Sequence, residues 1–120
     1  MAEGTGELKM LIWADPDKKI PLQRINFGKV EVGHEKTITV YLENDSKAVL
    51  SNLVYEFPNL PPTEILEVRG PVTIQPGKVE PLVLKWRPSP HFKRALVLDL
   101  VIRGEEIYLA EEAIAKEVTK

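Results

Sequence analysis

The chain has no cysteine among its 120 residues, so it contains neither a disulfide framework nor a thiolate metal site. Small secreted domains often depend on disulfides, whereas this chain must depend on its apolar core alone. It also lacks any apolar run of the roughly 20 residues needed to span a bilayer. The opening stretch, MAEGTGELKM, has no basic region followed by an apolar segment. We therefore expect neither a signal peptide nor a transmembrane segment.

The chain also lacks a large excess of either positive or negative charge. Sixteen basic and 18 acidic residues give a net charge of -2, whereas nucleic-acid binding favours a basic face. No polybasic cluster for anionic lipid is present either. We therefore expect protein partners, and neither nucleic acid nor membrane. Glutamine occurs twice and asparagine four times, a composition that resembles proteins from thermophiles.

The stretch RINFGKVEVGHEKTITVYLEN, residues 24–44, alternates apolar and polar residues on either side of a glycine. Val30 and Val32 share one face, because side chains alternate along a strand. After the break at Gly33, a second strand points its apolar residues one way and Thr37, Thr39, Tyr41 and Glu43 the other way. This pattern is typical of antiparallel sheet with one buried face.

Further short apolar segments are separated by turn residues. Pro76–Gly77 has the order that a type II turn requires, and residues 95–110 are interpreted as a hairpin that turns at Gly104. The pattern predicts an all-β fold, an immunoglobulin-like antiparallel β-sandwich of seven to nine strands. We expect a polar arm over residues 1–7, the sandwich over 8–110, and a charged tail or short terminal helix over 111–120.

The alternating positions also predict the core. We expect one buried set between the two sheets, composed of Val30, Val32, Ile38, Val40, Leu42, Leu82, Leu84, Trp86, Leu98 and Leu100.

Several of these pieces occur in an order found in a known group of domains. The stretches INFGKVEVG, KTITVYLENDS and IQPGKVEPLVLKWRPS contain Phe27–Gly28, a strand ending at Asn44, the Pro76–Gly77 turn and Trp86–Arg87–Pro88. Over about residues 21–106 the chain resembles the Hydin-type (ASH) and major-sperm-protein group of immunoglobulin-like domains. The resemblance implies a sandwich that contacts other proteins, and it implies no catalytic residue or cofactor.

Candidate residues for chemistry lack the neighbours that chemistry requires. His34 and His91 lie in predicted loops without a local histidine or cysteine that would complete a zinc site. A calcium loop starting at Asp15 would need glycine at Ile20 and glutamate at Asn26. No serine lies in a nucleophile elbow, and no glycine-rich phosphate loop follows a strand. We therefore expect a non-enzymatic protein without metal or cofactor.

An interface is predicted where a strand is apolar on both faces. Ala95, Val97 and Val101 oppose the core-facing leucines of the same segment, so either a partner or a neighbour within the chain must cover them. The run Leu11, Ile12 and Trp13 is a candidate for that cover, and we place these six residues in the predicted interface.

The sequence thus favours a structural protein of a large assembly, such as a capsid-decorating or tail component of a virion, found in the virion or the cytoplasm. Two alternatives remain open. One is a cellular adaptor that recognises a peptide or filament along an edge strand. The other is a carbohydrate-binding or enzyme-accessory domain, for which the available exposed aromatic residues are Trp13, Tyr41 and Tyr108.

Overall fold

A computed structural model describes residues 6–108, and this part of the chain forms nine strands. They are β1 (Gly6–Glu7), β2 (Leu11–Trp13), β3 (Ile25–Gly28), β4 (Lys36–Glu43), β5 (Val49–Glu56), β6 (Leu66–Arg69), β7 (Val79–Trp86), β8 (Leu96–Leu98) and β9 (Val101–Ile107). Every strand pair is antiparallel, and no helix occurs within residues 6–108. The predicted all-β sandwich is confirmed, whereas its immunoglobulin-like topology stays a prediction.

One layer of the sandwich is a four-stranded sheet with the order β2-β4-β7-β6. Strands β4 and β7 pair over their whole length, from Lys36 opposite Trp86 to Glu43 opposite Val79. Strand β6 is shorter and pairs only with the second half of β7. The first half of β7 therefore has a neighbouring strand on one side only.

The other layer consists of two smaller sheets, β1-β9-β5 and β3-β8. Only Asp99 and Leu100 separate β8 from β9, so the two sheets are joined end to end along residues 96–107. Strand β3 lies beside the first part of this segment and β1 beside the second part. The chain crosses from β1 to β2 in the four-stranded sheet and returns to the smaller layer at β3.

The core is centred on Trp86, which is completely buried. Its ring meets Phe27 edge to face at 5.7 Å and Phe92 at 5.4 Å between centroids, a geometry that aromatic pairs prefer. Six of the ten predicted core residues are buried, namely Val40, Leu42, Leu82, Leu84, Trp86 and Leu98. Three more, Val30, Ile38 and Leu100, are half-buried and pack against the core.

The prediction for Val32 is wrong, because its side chain is 47% exposed. The strand that contains Ile25 and Phe27 ends at Gly28, where the register with β8 shifts in a bulge and φ is +69°. Residues with a side chain rarely adopt this backbone conformation, whereas glycine adopts it freely. Val30 still packs against the core after this bulge, whereas Val32 lies in the turn that the hydrogen bond from His34 N to Glu31 O closes at 3.1 Å. Val32 therefore lies outside the strand whose alternation predicted its burial.

The hairpin predicted at Gly104 is also wrong. Gly104 lies inside β9, opposite Gly6 of β1, and β8 and β9 do not pair with each other. A Cβ atom at this position would lie 2.7 Å from the backbone oxygen of Ser51. The glycine therefore permits a close approach of β5 to β9, which is the alternative use of glycine within a strand.

The predicted Pro76–Gly77 turn is confirmed, and it lies against the end of β4. The buried Asn44 amide, which directly follows β4, donates to Ala48 O at 2.8 Å and to Ile74 O at 3.0 Å. Gly77 has φ +75°, and its N–H donates to Asn44 O at 2.7 Å. The Pro76–Gly77 turn and the end of β4 are thus held together.

The ends of the chain are described only in part. Gly6 and Glu7, the last two residues of the predicted arm, form β1 against β9. Residues 1–5 of the arm and residues 109–120, which include the predicted tail or helix, lie outside the described residues.

Candidate functional site

The outer face of the four-stranded sheet carries apolar side chains where alternation predicts polar ones. Trp13 of β2 lies opposite Tyr41 of β4, and Tyr41 lies opposite Pro81 of β7. Residues that pair across a sheet point to the same side, so these three side chains form one row across three strands. Leu11, Glu43 and Val79 form the next row. We call Leu11, Trp13, Tyr41, Val79 and Pro81 the apolar face.

The apolar face is open to solvent to different degrees. Leu11 is 43% exposed and Pro81 is exposed, whereas Trp13, Tyr41 and Val79 are half-buried. The opposite side chains of the same strands, such as Leu42 and Leu82, are completely buried in the core. The sheet is therefore apolar on both sides at this end, and only one side is covered by the rest of the described chain.

Trp13 is held in place by hydrogen bonds. Its indole N–H donates to Glu43 Oε1 at 3.1 Å, and Lys18 Nζ donates to Glu43 Oε2 at 3.1 Å. The hydrogen bond from Lys18 lowers the pKa of Glu43 below its ordinary value. The polar edge of the indole is thus satisfied within the chain, and its ring remains as a fixed apolar surface.

The turn before this site supplies Lys18. Asp15 accepts hydrogen bonds from the backbone N–H groups of Lys19 and Ile20, and the bond from Ile20 is the main cause of its lowered pKa. Lys18 has φ +60°, an uncommon conformation for a residue with a side chain. The DPDKK turn is thereby shaped so that its lysine reaches Glu43.

The second half of the same outer face is charged. Arg87 lies 3.1 Å from Glu35, Arg69 lies 3.3 Å from Glu67, and Lys85 lies 4.0 and 3.9 Å from the two glutamates. These side chains are solvent-exposed to a third or more, so each pair contributes little to stability. The outer face therefore divides into an apolar half and an ionic half.

The edges of the layers are covered at several places. The outer edge of β2 is taken by residues 20–22, since Ala14 N donates to Ile20 O and Leu22 N donates to Ile12 O. At β5, Leu50 exchanges two backbone hydrogen bonds with Ile74.

The edge of β8 is covered by a side chain. Asn59 donates to Val97 O at 3.0 Å and accepts from Asp99 N at 2.8 Å, so one amide group occupies the position of a neighbouring strand.

The six predicted interface residues do not form one surface. Leu11 and Trp13 belong to the apolar face, whereas Ile12 points inward opposite the buried Leu42. Val97 and Val101 lie in β8 and β9 of the other layer, and the exposed Ala95 directly precedes β8. Strand β2 pairs with β4, so it lies in a different sheet from the strand that it was expected to cover.

Three members of the apolar face were not among the predicted interface residues, namely Tyr41, Val79 and Pro81. A signal was present, since Tyr41 is the one aromatic residue on the polar side of the alternation in β4. Pro81 lies in the half of β7 that β6 does not reach, where its missing N–H leaves no described neighbouring strand without a hydrogen bond.

Other candidate groups remain dispersed. His34 and His91 are both exposed, and the nearest ionic partner of His34 is Glu31 at 3.9 Å. An open groove of about 490 Å³ is lined by Lys29, Val30, Glu31, Val32, Phe92 and Lys93. Within residues 6–108, no three His, Cys, Asp or Glu side chains gather into a possible metal site. The same residues include no helix of the length and apolarity that crossing a membrane requires.

Comparison with family models, curated proteins and solved structures gave no match. The resemblance to Hydin-type and major-sperm-protein domains stays a prediction based on the motifs given above.

Proposed function

We propose that this protein is a non-enzymatic structural component that binds other proteins through the apolar face. The observation that carries the proposal is the row formed by Trp13, Tyr41 and Pro81 on the solvent side of the four-stranded sheet. Aromatic residues are enriched at protein interfaces, where a rigid ring gives a large contact area at low entropic cost. Trp13 is already held by Glu43, so binding costs little further side-chain entropy at this residue.

The shape of this surface favours a protein partner. An open sheet face with apolar residues and a neighbouring ionic half has the composition of an interface core beside a polar rim. We place the protein in a large assembly, with a capsid-decorating or tail component of a virion as the leading version. A cellular adaptor that binds through an edge strand remains the alternative.

The experiment compares two double variants in the native assembly. Trp13→Ser with Tyr41→Ser removes the centre of the apolar face. Val32→Ser with Val54→Ser removes two exposed apolar residues elsewhere, 47% and 53% exposed. We expect both variants to keep a cooperative melting transition. Only the first should be lost from the assembly, as measured by the mass of the purified particle and its content of this protein. Full incorporation of the first variant would exclude the apolar face as the contact.

A second candidate function is carbohydrate binding. Two of the three aromatic residues considered for it, Trp13 and Tyr41, lie side by side on one outer face, and aromatic rings on an open sheet can stack against sugar rings. Tyr108 follows the end of β9 and is 62% exposed. Binding to immobilised polysaccharides that is lost in Trp13→Ser, with the particle mass unchanged, would favour this candidate over the structural one.

A further inference from the structure

Among residues 6–108, strand β6 has a neighbouring strand on one side only, so its other edge is free within this part of the chain. It pairs with β7 on one side, and in residues 6–108 no hydrogen bond joins the backbone of residues 66–69 to any other segment. Half of the N–H and C=O groups of an edge strand point away from its sheet and can accept another strand. Residues 20–22 cover β2, Ile74 contacts β5 and Asn59 covers β8. Within the described residues, no such segment lies beside β6.

The other layer offers a less suitable edge. Strand β3 is interrupted by the bulge at Gly28, and the Asn26 side chain accepts a hydrogen bond from Gly28 N at 2.8 Å. Bulges disrupt pairing with a further strand. Strand β1 has only two residues. The four residues of β6 show no register shift against β7. Strand β6 is therefore better suited than β1 or β3 to pair with a further strand.

The side chains of β6 define what the edge accepts. Glu67 and Arg69 point to the outer face, and Leu66 and Val68 point towards the core. Leu66 and Val68 are only half-buried, and no strand formed by residues 6–108 lies beside β6 on the side away from β7. A strand that completes this edge should therefore bring apolar residues on the core side and opposite charges on the outer side.

We propose that β6 pairs antiparallel with β6 of a second copy of this chain, around a two-fold axis at Val68. In this register Glu67 lies opposite Arg69 of the partner subunit, and the symmetry repeats the pair. Leu66 lies opposite Gly70 of the partner subunit, and Ile65 lies opposite Pro71 of the partner subunit. The two four-stranded sheets join into one sheet of eight strands, and Ile65, which is 82% exposed in the single chain, gains an apolar neighbour at each end of the contact.

The charges select this register. Moving the axis to Glu67 places the glutamates of the two copies opposite each other, and moving it to Arg69 does the same with the arginines. Like charges directly opposite each other are destabilising. An axis between two residues would place Glu67 opposite a core-facing residue, because neighbouring positions point to opposite faces. The axis at Val68 therefore combines opposite charges with matching faces.

This dimer goes beyond the proposed function, because it uses the edge of the sheet and leaves the apolar face free. A contact of seven residues on each side, from Ile65 to Pro71, lies below the size of a stable standard interface. We therefore expect a reversible dimer with a dissociation constant that rises with salt, because exposed ion pairs are screened.

Sedimentation equilibrium of the full chain, from about ten micromolar to about one millimolar, tests the proposal. The variants are Glu67→Arg and Arg69→Glu. Each places like charges opposite each other in its own dimer, so we expect each to raise the dissociation constant at least about tenfold. Mixed in equal amounts, the two variants again place glutamate opposite arginine. The mixture should form a heterodimer with close to the wild-type dissociation constant.

The matched controls are Glu56→Arg and Arg103→Glu. They reverse the charges of an exposed pair 2.9 Å apart on the other layer, and they should not change the dissociation constant. The combined variant E67R/R69E keeps opposite charges in register and should dimerise as the wild type does, which separates pairing from folding. A wild-type chain that stays monomeric at one millimolar (about the highest practical concentration), or single variants that dimerise as well as wild type, would overturn the proposal.

Discussion

The indole N–H of Trp86 donates to the carboxylate of Glu64 at 3.0 Å, between two residues that are 0% and 4% exposed. The same carboxylate accepts hydrogen bonds from Ser89 N at 3.0 Å, Ser89 Oγ at 2.6 Å and Thr63 Oγ1 at 2.8 Å. Four donors thus stabilise one buried negative charge, and the charge joins the loop before β6 to the segment after β7. A buried indole N–H requires a hydrogen-bond acceptor, and only the tertiary structure shows that Glu64 supplies it for Trp86.

Glu64→Ala should destabilise the fold. The substitution leaves the buried indole N–H and the N–H of Ser89 without an acceptor, and each unsatisfied buried donor costs about 1–3 kcal/mol. Glu64→Gln keeps one oxygen acceptor in the same position and should cost less. Urea unfolding of the three proteins measures the difference. Equal stability of wild type and Glu64→Ala would show that the network contributes nothing to the fold.

Stability should fall at acidic pH because of the same carboxylate. Burial alone would raise the pKa of Glu64, but the hydrogen bonds from Ser89, Thr63 and Trp86 outweigh it and lower the pKa from 4.5 to about 2. A carboxyl group with a lowered pKa contributes stability that is fully present above its unfolded-state value and is lost as pH falls towards the folded-state value. The melting temperature should therefore decrease between about pH 4.5 and 2. In Glu64→Gln this decrease should be smaller, and an equal decrease in both proteins would assign it to other groups.

Asn44→Ala should cost about 1–3 kcal/mol, because the buried amide is the donor to Ala48 O and Ile74 O. Asn59→Ala is the matched control. It also removes an amide that bridges two backbone groups, 3.0 and 2.8 Å away, but at an exposed position where water can replace it. The free energy of unfolding should decrease more for the buried residue. The reverse order would contradict the importance of burial at this turn.

Leu84→Ala and Val32→Ala form the clearest pair for the core. Leu84 is 0% exposed, and its truncation should cost about 2–5 kcal/mol, the usual range for buried large-to-small changes. Val32 is 47% exposed, and its truncation should stay within about 0.5 kcal/mol. Chemical denaturation provides both values. A large loss at Val32 would restore the strand register that the sequence alternation first indicated.

Much of the fold could be predicted because strand formation depends on local features. The alternation in residues 36–43 placed Val40 and Leu42 in the core correctly. Pro76–Gly77 was correctly placed as a turn, since glycine at that position adopts the positive φ that a type II turn requires. At other positions the sequence did not show which structural role a glycine has. Gly28 and Gly104 both interrupt apolar segments, yet one forms a bulge and the other admits a neighbouring strand.

Only part of the candidate site could be predicted from the sequence. Leu11 and Trp13 were identified from their apolarity, but their neighbours on the apolar face come from β4 and β7, far along the chain. Ala95, Val97 and Val101 were grouped with them because both segments are apolar. The structure places the two groups in different layers, because β2 pairs with β4.

The sequence alone determined the all-β class, the positions of most turns and the inward set of the long strands, because backbone dihedrals and a period of two are local properties. Only the tertiary structure decided which strands are neighbours, and therefore which outward side chains form the row Trp13–Tyr41–Pro81. It also decided that, among residues 6–108, the edge of β6 has no neighbouring strand. Alternation shows that two residues point to the same side of one strand. It does not show which strand lies beside it, because that depends on hydrogen bonds and packing between segments far apart in the chain.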